Sequence, residues 1–194
     1  MKVGVLDVQG DVTEHVLALK AASKSSGIPA DVVTVKTPHD VRKLSALVIP
    51  GGESTTVSQL MRRFKIDEAI SEVASDIPVF GTCAGMVLLS KEGANMKKGQ
   101  STLSLMDAKV IRNAFGSQKD SFECELKIPV LGAKEYPAVF IRAPAIEKVW
   151  GQCKSLCKLD GRIVFARQDN LLASAFHPEL TEDLRVHEYF LGMI

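Results

Sequence analysis

Four short apolar runs constrain this 194-residue chain more than any other feature: KVGVLDV (2–8), SALVIP (45–50), PVFG (78–81) and NLLASAF (170–176). None alternates apolar with polar residues as a strand with one wet face would, so each needs cover on both faces. A parallel sheet flanked by helices supplies that cover. Helical patterns fall between the runs. Asp11 to about Ser26 carries Val12, Val16 and Leu19 at i, i+4 and i+7, and Asp11 with Glu14 reads as a capping box. ADVVTVK (30–36) follows as a strand. Gly51-Gly52 ends the next one, and Ser54 or Thr55 is expected to cap a helix running to about Ser75. The alternation predicts a doubly wound α/β architecture.

After about Lys97 the segments lengthen and alternate: TLSLMDAKVIR (102–112), SFECELKI (121–128), YPAVFIRA (136–143) and GRIVFARQ (161–168). These predict antiparallel or mixed strands. Thr181, with Glu182 and Asp183, is expected to open a last helix through about Gly192. There is no repeat, linker or low-complexity segment, and residues 1–194 read as one domain.

The 24 basic and 23 acidic residues leave a net charge of +1, so no global field draws in nucleic acid or an anionic membrane. No apolar stretch approaches the roughly 18 residues of a membrane span, and MKVGVLDVQG has no small-residue cleavage site. A cytoplasmic protein is expected. Cys83, Cys124, Cys153 and Cys157 form no C-x-x-C and have no histidine pair nearby, so no metal site is expected. Most read as free thiols; Cys153 and Cys157 are the pair that could join, yet a chain of this size does not need a disulfide.

The chemistry concentrates in two places. In PVFGTCAGMVLLS (78–90) a buried strand runs through Gly81-Thr82-Cys83-Ala84-Gly85 into an apolar helix. Strand, small residue, nucleophile, small residue, helix is the pattern of an elbow that projects a nucleophile at a helix N-terminus, where the dipole favours a thiolate. Taken alone it is equally a cysteine packed among glycines. In SAFHPELTED (174–183), His177 and Glu179 flank Pro178. Proline biases His177 toward extended backbone, and residues i and i+2 of an extended segment face the same way. A carboxylate on one ring nitrogen leaves the other for Cys83, which is the logic of a nucleophile, base and orienter. His15 and His187 on helices, and His39 in a turn, read as structural or surface residues. IPGGESTT (49–56) ends a buried strand on the sheet's ligand edge, although a plain strand-to-helix turn explains it equally well. No phosphate-loop pattern occurs.

GVLDVQG, PGGESTT, GTCAGM, RNAFG with DSFE, FIRAP and HPELTED together resemble the glutaminase subunits of pyridoxal 5′-phosphate synthase, a branch of the class I glutamine amidotransferases. The resemblance spans nearly the whole chain. It implies a flavodoxin-like α/β sandwich that hydrolyses L-glutamine without a cofactor and passes ammonia to a barrel-shaped synthase subunit. It also implies activation when that subunit docks near Gln9 and the glycine loop. By the same resemblance Cys83 is nucleophile, His177 base and acid, and Glu179 its partner. Glutamine contacts fall on Gly52, Glu53, Ser54, Arg112, Ile141 and Arg142. Backbone N–H groups of Gly51, Gly52 and Ala84 are expected to form the oxyanion hole.

Two departures stand out: Asp7, where a small or apolar residue is common, and GSQ rather than GRQ after Phe115. Residues 147–159, with Trp150, Cys153 and Cys157, match nothing assigned and read as a peripheral hairpin. A glutaminase of another pathway, a silent regulatory subunit and a redox-sensing thiol protein remain alternative readings of the same residues.

Overall fold

The computed structural model describes residues 1–96, 99–116 and 121–194. The chain runs β1 (Lys2–Leu6), α1 (Val12–Ser26), β2 (Asp31–Val35), α2 (Pro38–Val41), β3 (Ala46–Ile49), α3 (Ser54–Arg63), α4 (Ile66–Val73), β4 (Val79–Thr82) and α5 (Ala84–Leu89). It continues with β5 (Ser90–Ala94), β6 (Met106–Ile111), β7 (Ser121–Leu126), β8 (Tyr136–Ile141), β9 (Ala145–Val149), β10 (Lys154–Leu159), β11 (Arg162–Gln168), β12 (Leu171–Ser174) and α6 (Arg185–Leu191). Ser117, Gln118 and Asp120, which carry the GSQ departure and the start of DSFE, lie outside the described residues.

The main sheet has the order β2-β1-β3-β4-β12-β11-β9-β6-β5, with β10 paired to β11. The β2-β1-β3-β4-β12 block is parallel throughout. Antiparallel pairs β12–β11, β11–β9 and β9–β6 extend it, as the alternating second half predicts. Every residue of β3, β4 and β12 is buried, which is why those runs are apolar throughout. β6 and β8 alternate buried with half-buried positions. Strands β7 and β8 form a separate hairpin, on which Phe122 stacks over Phe140.

From β1 the chain steps to one side through α1 and then returns past β1 to β3. Right-handed crossovers in opposite directions place their helices on opposite faces of a sheet. Accordingly α1 packs with α6, while α2 to α5 pack among themselves. The reversal leaves a crevice beyond the carboxyl ends of β1 and β3, where open α/β sheets bind ligands.

Several expected boundaries move. The single helix to Ser75 is two, because Lys65 takes a left-handed φ of 58° between α3 and α4. Its cap is Glu53, whose carboxylate accepts the Thr56 N–H at 2.8 Å, and neither Ser54 nor Thr55 takes that role. Helix α1 starts without a side-chain cap, so the Asp11–Glu14 capping box does not form. Its buried residues are His15, Ala18, Leu19 and Ala22; of the expected Val12, Val16 and Leu19, Leu19 is buried and the two valines pack half-buried against the core. The last helix begins at Arg185, because Thr181 is engaged locally, donating to the Pro178 carbonyl and accepting from the Asp183 N–H. The unassigned 147–159 stretch supplies the end of β9 and all of β10, with Cys153 and Cys157 buried as free thiols.

The β4–α5 connection is the tightest point of the fold. A methyl group on Gly81 would meet the Gly85 backbone at 2.5 Å, and one on Gly85 would land on the Ile49 carbonyl oxygen of β3. Backbone cannot yield as a flexible side chain can. Gly85→Ala is therefore expected to destabilise the fold by about 1–3 kcal/mol, with Gly192→Ala, which meets only ordinary contacts, within about 0.5 kcal/mol of the parent. Urea unfolding of the two variants tests this, and equal stabilities would refute the close approach.

Candidate active site

Four neighbouring parallel strands, β1, β3, β4 and β12, end at one edge of the sheet, and each delivers a chemical group just beyond its last residue. These are Gln9 and Asp11 after β1, Gly51 to Ser54 after β3, Cys83 after β4, and His177 with Glu179 after β12. The two motifs, distant in sequence, meet because β4 pairs directly with β12, Thr82 beside Ser174.

Cys83 sits at φ 47° and ψ −100°, a conformation that costs a non-glycine residue of order 1–3 kcal/mol and is held here by its surroundings. Its N–H donates to the Ser174 carbonyl at 2.8 Å, and it stands at the N-terminus of α5. This is the elbow expected from GTCAG. The side chain opens onto a cavity of about 440 Å³ that is also lined by Gly52, Glu53, Ser54, Ala84, Arg112, Ile141, Arg142 and His177. Gly51 and Glu179 do not line it. Glu179 lies behind His177, and Gly51 packs against the flank of the imidazole so closely that a methyl group there would come within 2.6 Å of Cε1.

His177 Nδ1 and Glu179 Oε1 are 2.7 Å apart and buried. The backbone joining them is not extended throughout, since Pro178–Leu180 form one turn of 3₁₀ helix, yet the two side chains meet. His177 Nε2 is buried with no hydrogen bond formed, and the Cys83 thiol interacts with the ring. Burial on its own disfavours the imidazolium, but Asp11, Cys83 and Glu179 together outweigh it and raise the proton affinity of His177. Burial also raises the Glu179 carboxyl, partly offset by its bond to His177. Both shifts mean that the pair holds a proton firmly between Nδ1 and Oε1.

The cavity's cationic end is braced. Arg112 donates to Glu53 Oε1 at 3.3 Å and to Gln100 Oε1 at 3.2 Å, and Gln100 in turn donates to Ser54 Oγ at 2.9 Å. Arg142, at a left-handed φ of 42°, follows Ile141 at the end of β8.

Four residues, Asp11, Gln9, His15 and His187, make contacts that the sequence did not reveal. The Asp11 carboxylate, which leaves α1 uncapped, lies 3.4 Å from His177 Nδ1 as a second acid, and that bond holds it below the usual carboxylate range. Gln9 accepts the Glu53 N–H at 2.9 Å and so ties the glycine loop to the loop after β1. His15 and His187 are fully buried rather than on the surface, and His15 has an acid partner, Glu179, at 3.3 Å. The signal available was position: Gln9 and Asp11 follow the carboxyl end of β1 at the switch point, and His15 interrupts an apolar stripe. Among the described residues, Asp11, His177 and Glu179 are the one group close enough to share a metal ion, and the bonds above already engage them with one another.

Residues 5–194 match the SNO glutamine amidotransferase family. The chain belongs to that family. Within it, the chain is 50% identical over 197 residues to the pyridoxal 5′-phosphate synthase subunit PdxT of Methanosarcina mazei, covering all of this chain and 98% of that one. It is 48% identical over 195 residues to the PdxT of Moorella thermoacetica, covering all of both chains. A solved glutamine amidotransferase superposes at a TM-score of 0.86 with 41% identity, covering 98% of this chain and 97% of that one. One from Thermotoga maritima, 13% identical, shares the fold at a TM-score of 0.62.

The buried histidines of this amidotransferase fix a pH dependence. Burial lowers His187 from 6.5 to about 4 and holds His15 well below its usual range. On acidification from about pH 6.5 both bind protons in the unfolded chain but not in the folded one, so stability falls. His177, raised, is already charged in the folded chain and opposes slightly until its unfolded counterpart is fully protonated. Glu179, raised by burial, offsets part of that loss. A net loss of stability between pH 6.5 and 4.5 is expected, led by His187 and His15. Urea unfolding across that range measures it, and stability that stays flat would contradict the neutral buried pair.

Proposed function

We propose that this chain hydrolyses the side-chain amide of L-glutamine to L-glutamate and ammonia, and that the ammonia passes to a barrel-shaped synthase subunit that makes pyridoxal 5′-phosphate. The observation that carries this reading is the strained Cys83 elbow opening into the same cavity as His177, whose Nδ1 is held from behind by Glu179. The relatives' shared name, pyridoxal 5′-phosphate synthase subunit PdxT, supports the pathway.

His177 Nδ1 is committed to Glu179, so Nε2 exchanges protons. With the Cys83 proton on Nε2 the two residues form a thiolate–imidazolium pair, the sulfur attacks the amide carbon, and the tetrahedral oxyanion is met by backbone N–H groups of Ala84 and Gly52. The imidazolium then protonates the amide nitrogen, the C–N bond breaks and ammonia leaves. Water attacks the thioester carbon while Nε2 accepts its proton, glutamate departs, and the proton returns to sulfur. The imidazolium, held by two carboxylates, is also the counter-ion a thiolate requires. No step calls for a metal or an organic cofactor.

Substrate recognition follows from the lining. Arg112 and Arg142 suit the α-carboxylate, and Glu53 the α-ammonium, with Gly52, Ser54 and Ile141 completing the contacts. Gln9 gives the synthase subunit a handle, because releasing the Glu53 N–H frees the adjoining peptide to turn toward the oxyanion. All of this sits in one glutaminase unit, residues 1–194. A free thiol nucleophile fits the reducing cytoplasm. Among the described residues, no helix is long and apolar enough to cross a membrane.

Glutamate release measured with purified chain tests the assignment. Cys83→Ala should lower turnover by roughly three orders of magnitude or more, and Glu179→Gln by about 10²–10⁴-fold. Appreciable turnover by Cys83→Ala would overturn it. Adding the synthase subunit should raise kcat, and an unchanged kcat would refute activation through Gln9.

A further inference from the structure

Helix α1 buries His15 beneath the site, where the ring touches both of its halves. Nε2 lies 3.0 Å from Oγ1 of Thr82, the residue before the nucleophile, and 3.3 Å from Glu179 Oε2, the oxygen that His177 leaves unused. Nδ1 lies 3.2 Å from His187 Nε2 on α6. His15, Thr82 and His187 are fully buried, as is the Glu179 side chain.

The tautomers follow from the atom left over. His187 Nδ1 is buried without a partner, and an orphaned N–H is rarer in a protein interior than an orphaned acceptor. Nδ1 is therefore the bare nitrogen, and His187 Nε2–H donates to His15 Nδ1. The proton of His15 consequently sits on Nε2, where one N–H faces two acceptors. Here it is directed to Thr82, and no hydrogen bond ends on Glu179 Oε2.

During turnover His177 cycles between its neutral and doubly protonated forms, and whenever it is doubly protonated Glu179 must carry its full negative charge in a dry site. Oε1 has the His177 N–H. Oε2, within 3.3 Å of His15, has no bond, and leaving a buried charged oxygen unpaired is costly. We infer that His15 is a positioning residue of the glutaminase, whose Nε2–H turns from Thr82 to Glu179 Oε2 as charge builds, holding the carboxylate ionised and in one rotamer. The other titratable groups around Glu179 are His177 and Asp11, with Cys83 beyond His177, His187 behind His15, and Tyr136 on β8. None of them offers Oε2 a donor. This inference rests on the glutaminase reading above.

The test is steady-state glutamine hydrolysis across pH by the full chain and three variants. His15→Leu should lower kcat by about 10–100-fold, the range seen when a group orienting a functional side chain is lost, with KM within about 2-fold. The acidic limb of its kcat/KM profile should move to higher pH, because an undonated Oε2 holds a proton more readily. His15→Gln, whose amide N–H takes the place of Nε2–H, should recover to within about 5-fold of the parent, and Thr82→Val, which removes only the competing acceptor, to within about 3-fold.

Unchanged kcat and pH profile in His15→Leu would overturn the inference. So would a loss in His15→Gln as deep as in His15→Leu, which would assign the effect to ring bulk. A matching loss in Thr82→Val would assign it to anchoring of β4. If His15→Leu does not fold, the other two variants decide. A parent chain that releases no glutamate refutes the glutaminase reading itself, whereas an active parent with an indifferent His15→Leu refutes only the role of His15.

Discussion

The parallel pairing of β4 between β3 and β12 governs the rest of the molecule. Its register sets Gly81 beside Ile49 on one side and Ala173 on the other, with Thr82 beside Ser174. Cys83 and Ala175 therefore leave the sheet side by side, and His177 follows two residues later. The elbow is bolted to both neighbours, by the Cys83 N–H to Ser174 and by the press of Gly85 on Ile49. A shift of one residue in that register would turn side chains to the opposite face and part the sulfur from the imidazole.

What grows on this frame is a line of polar groups sunk into an apolar core: Cys83, His177, Glu179, His15 and His187. Buried ionisable groups are tolerated when partners offset their desolvation. Here the compensation is uneven. His177 is bracketed by two carboxylates, whereas Glu179 Oε2 and His187 Nδ1 end without hydrogen bonds. A line in which His177 Nε2, Glu179 Oε2 and His187 Nδ1 all end without hydrogen bonds has room for a proton to be re-aimed without repacking the core.

Much of this was legible in the sequence because its signals are local. Unbroken apolar runs mark strands covered on both faces, and the GTCAG spacing marks the elbow; His177 and Glu179 are near in sequence, although they meet across a 3₁₀ turn and not the extended backbone that Pro178 suggested. What stayed hidden depends on contacts between distant segments. Asp11 carries every mark of a helix cap, and only the nearness of His177 explains why its carboxylate turns away from α1. The break at Lys65 leaves an uninterrupted amphipathic pattern on either side. His15 looks like a stray polar residue in an apolar stripe until Thr82 and Glu179 are brought beneath it.

The stacking of the glycine loops carries a mechanical consequence. Gly10 rests directly on the Gly51 carbonyl, and Gly51 rests on the edge of the His177 ring. Because no side chain intervenes in this column, it contains no soft layer to absorb strain. Pressure applied at the outer loop therefore bears on the imidazole, so the posture of the surface beside Gln9 and the position of the His177 ring are mechanically linked.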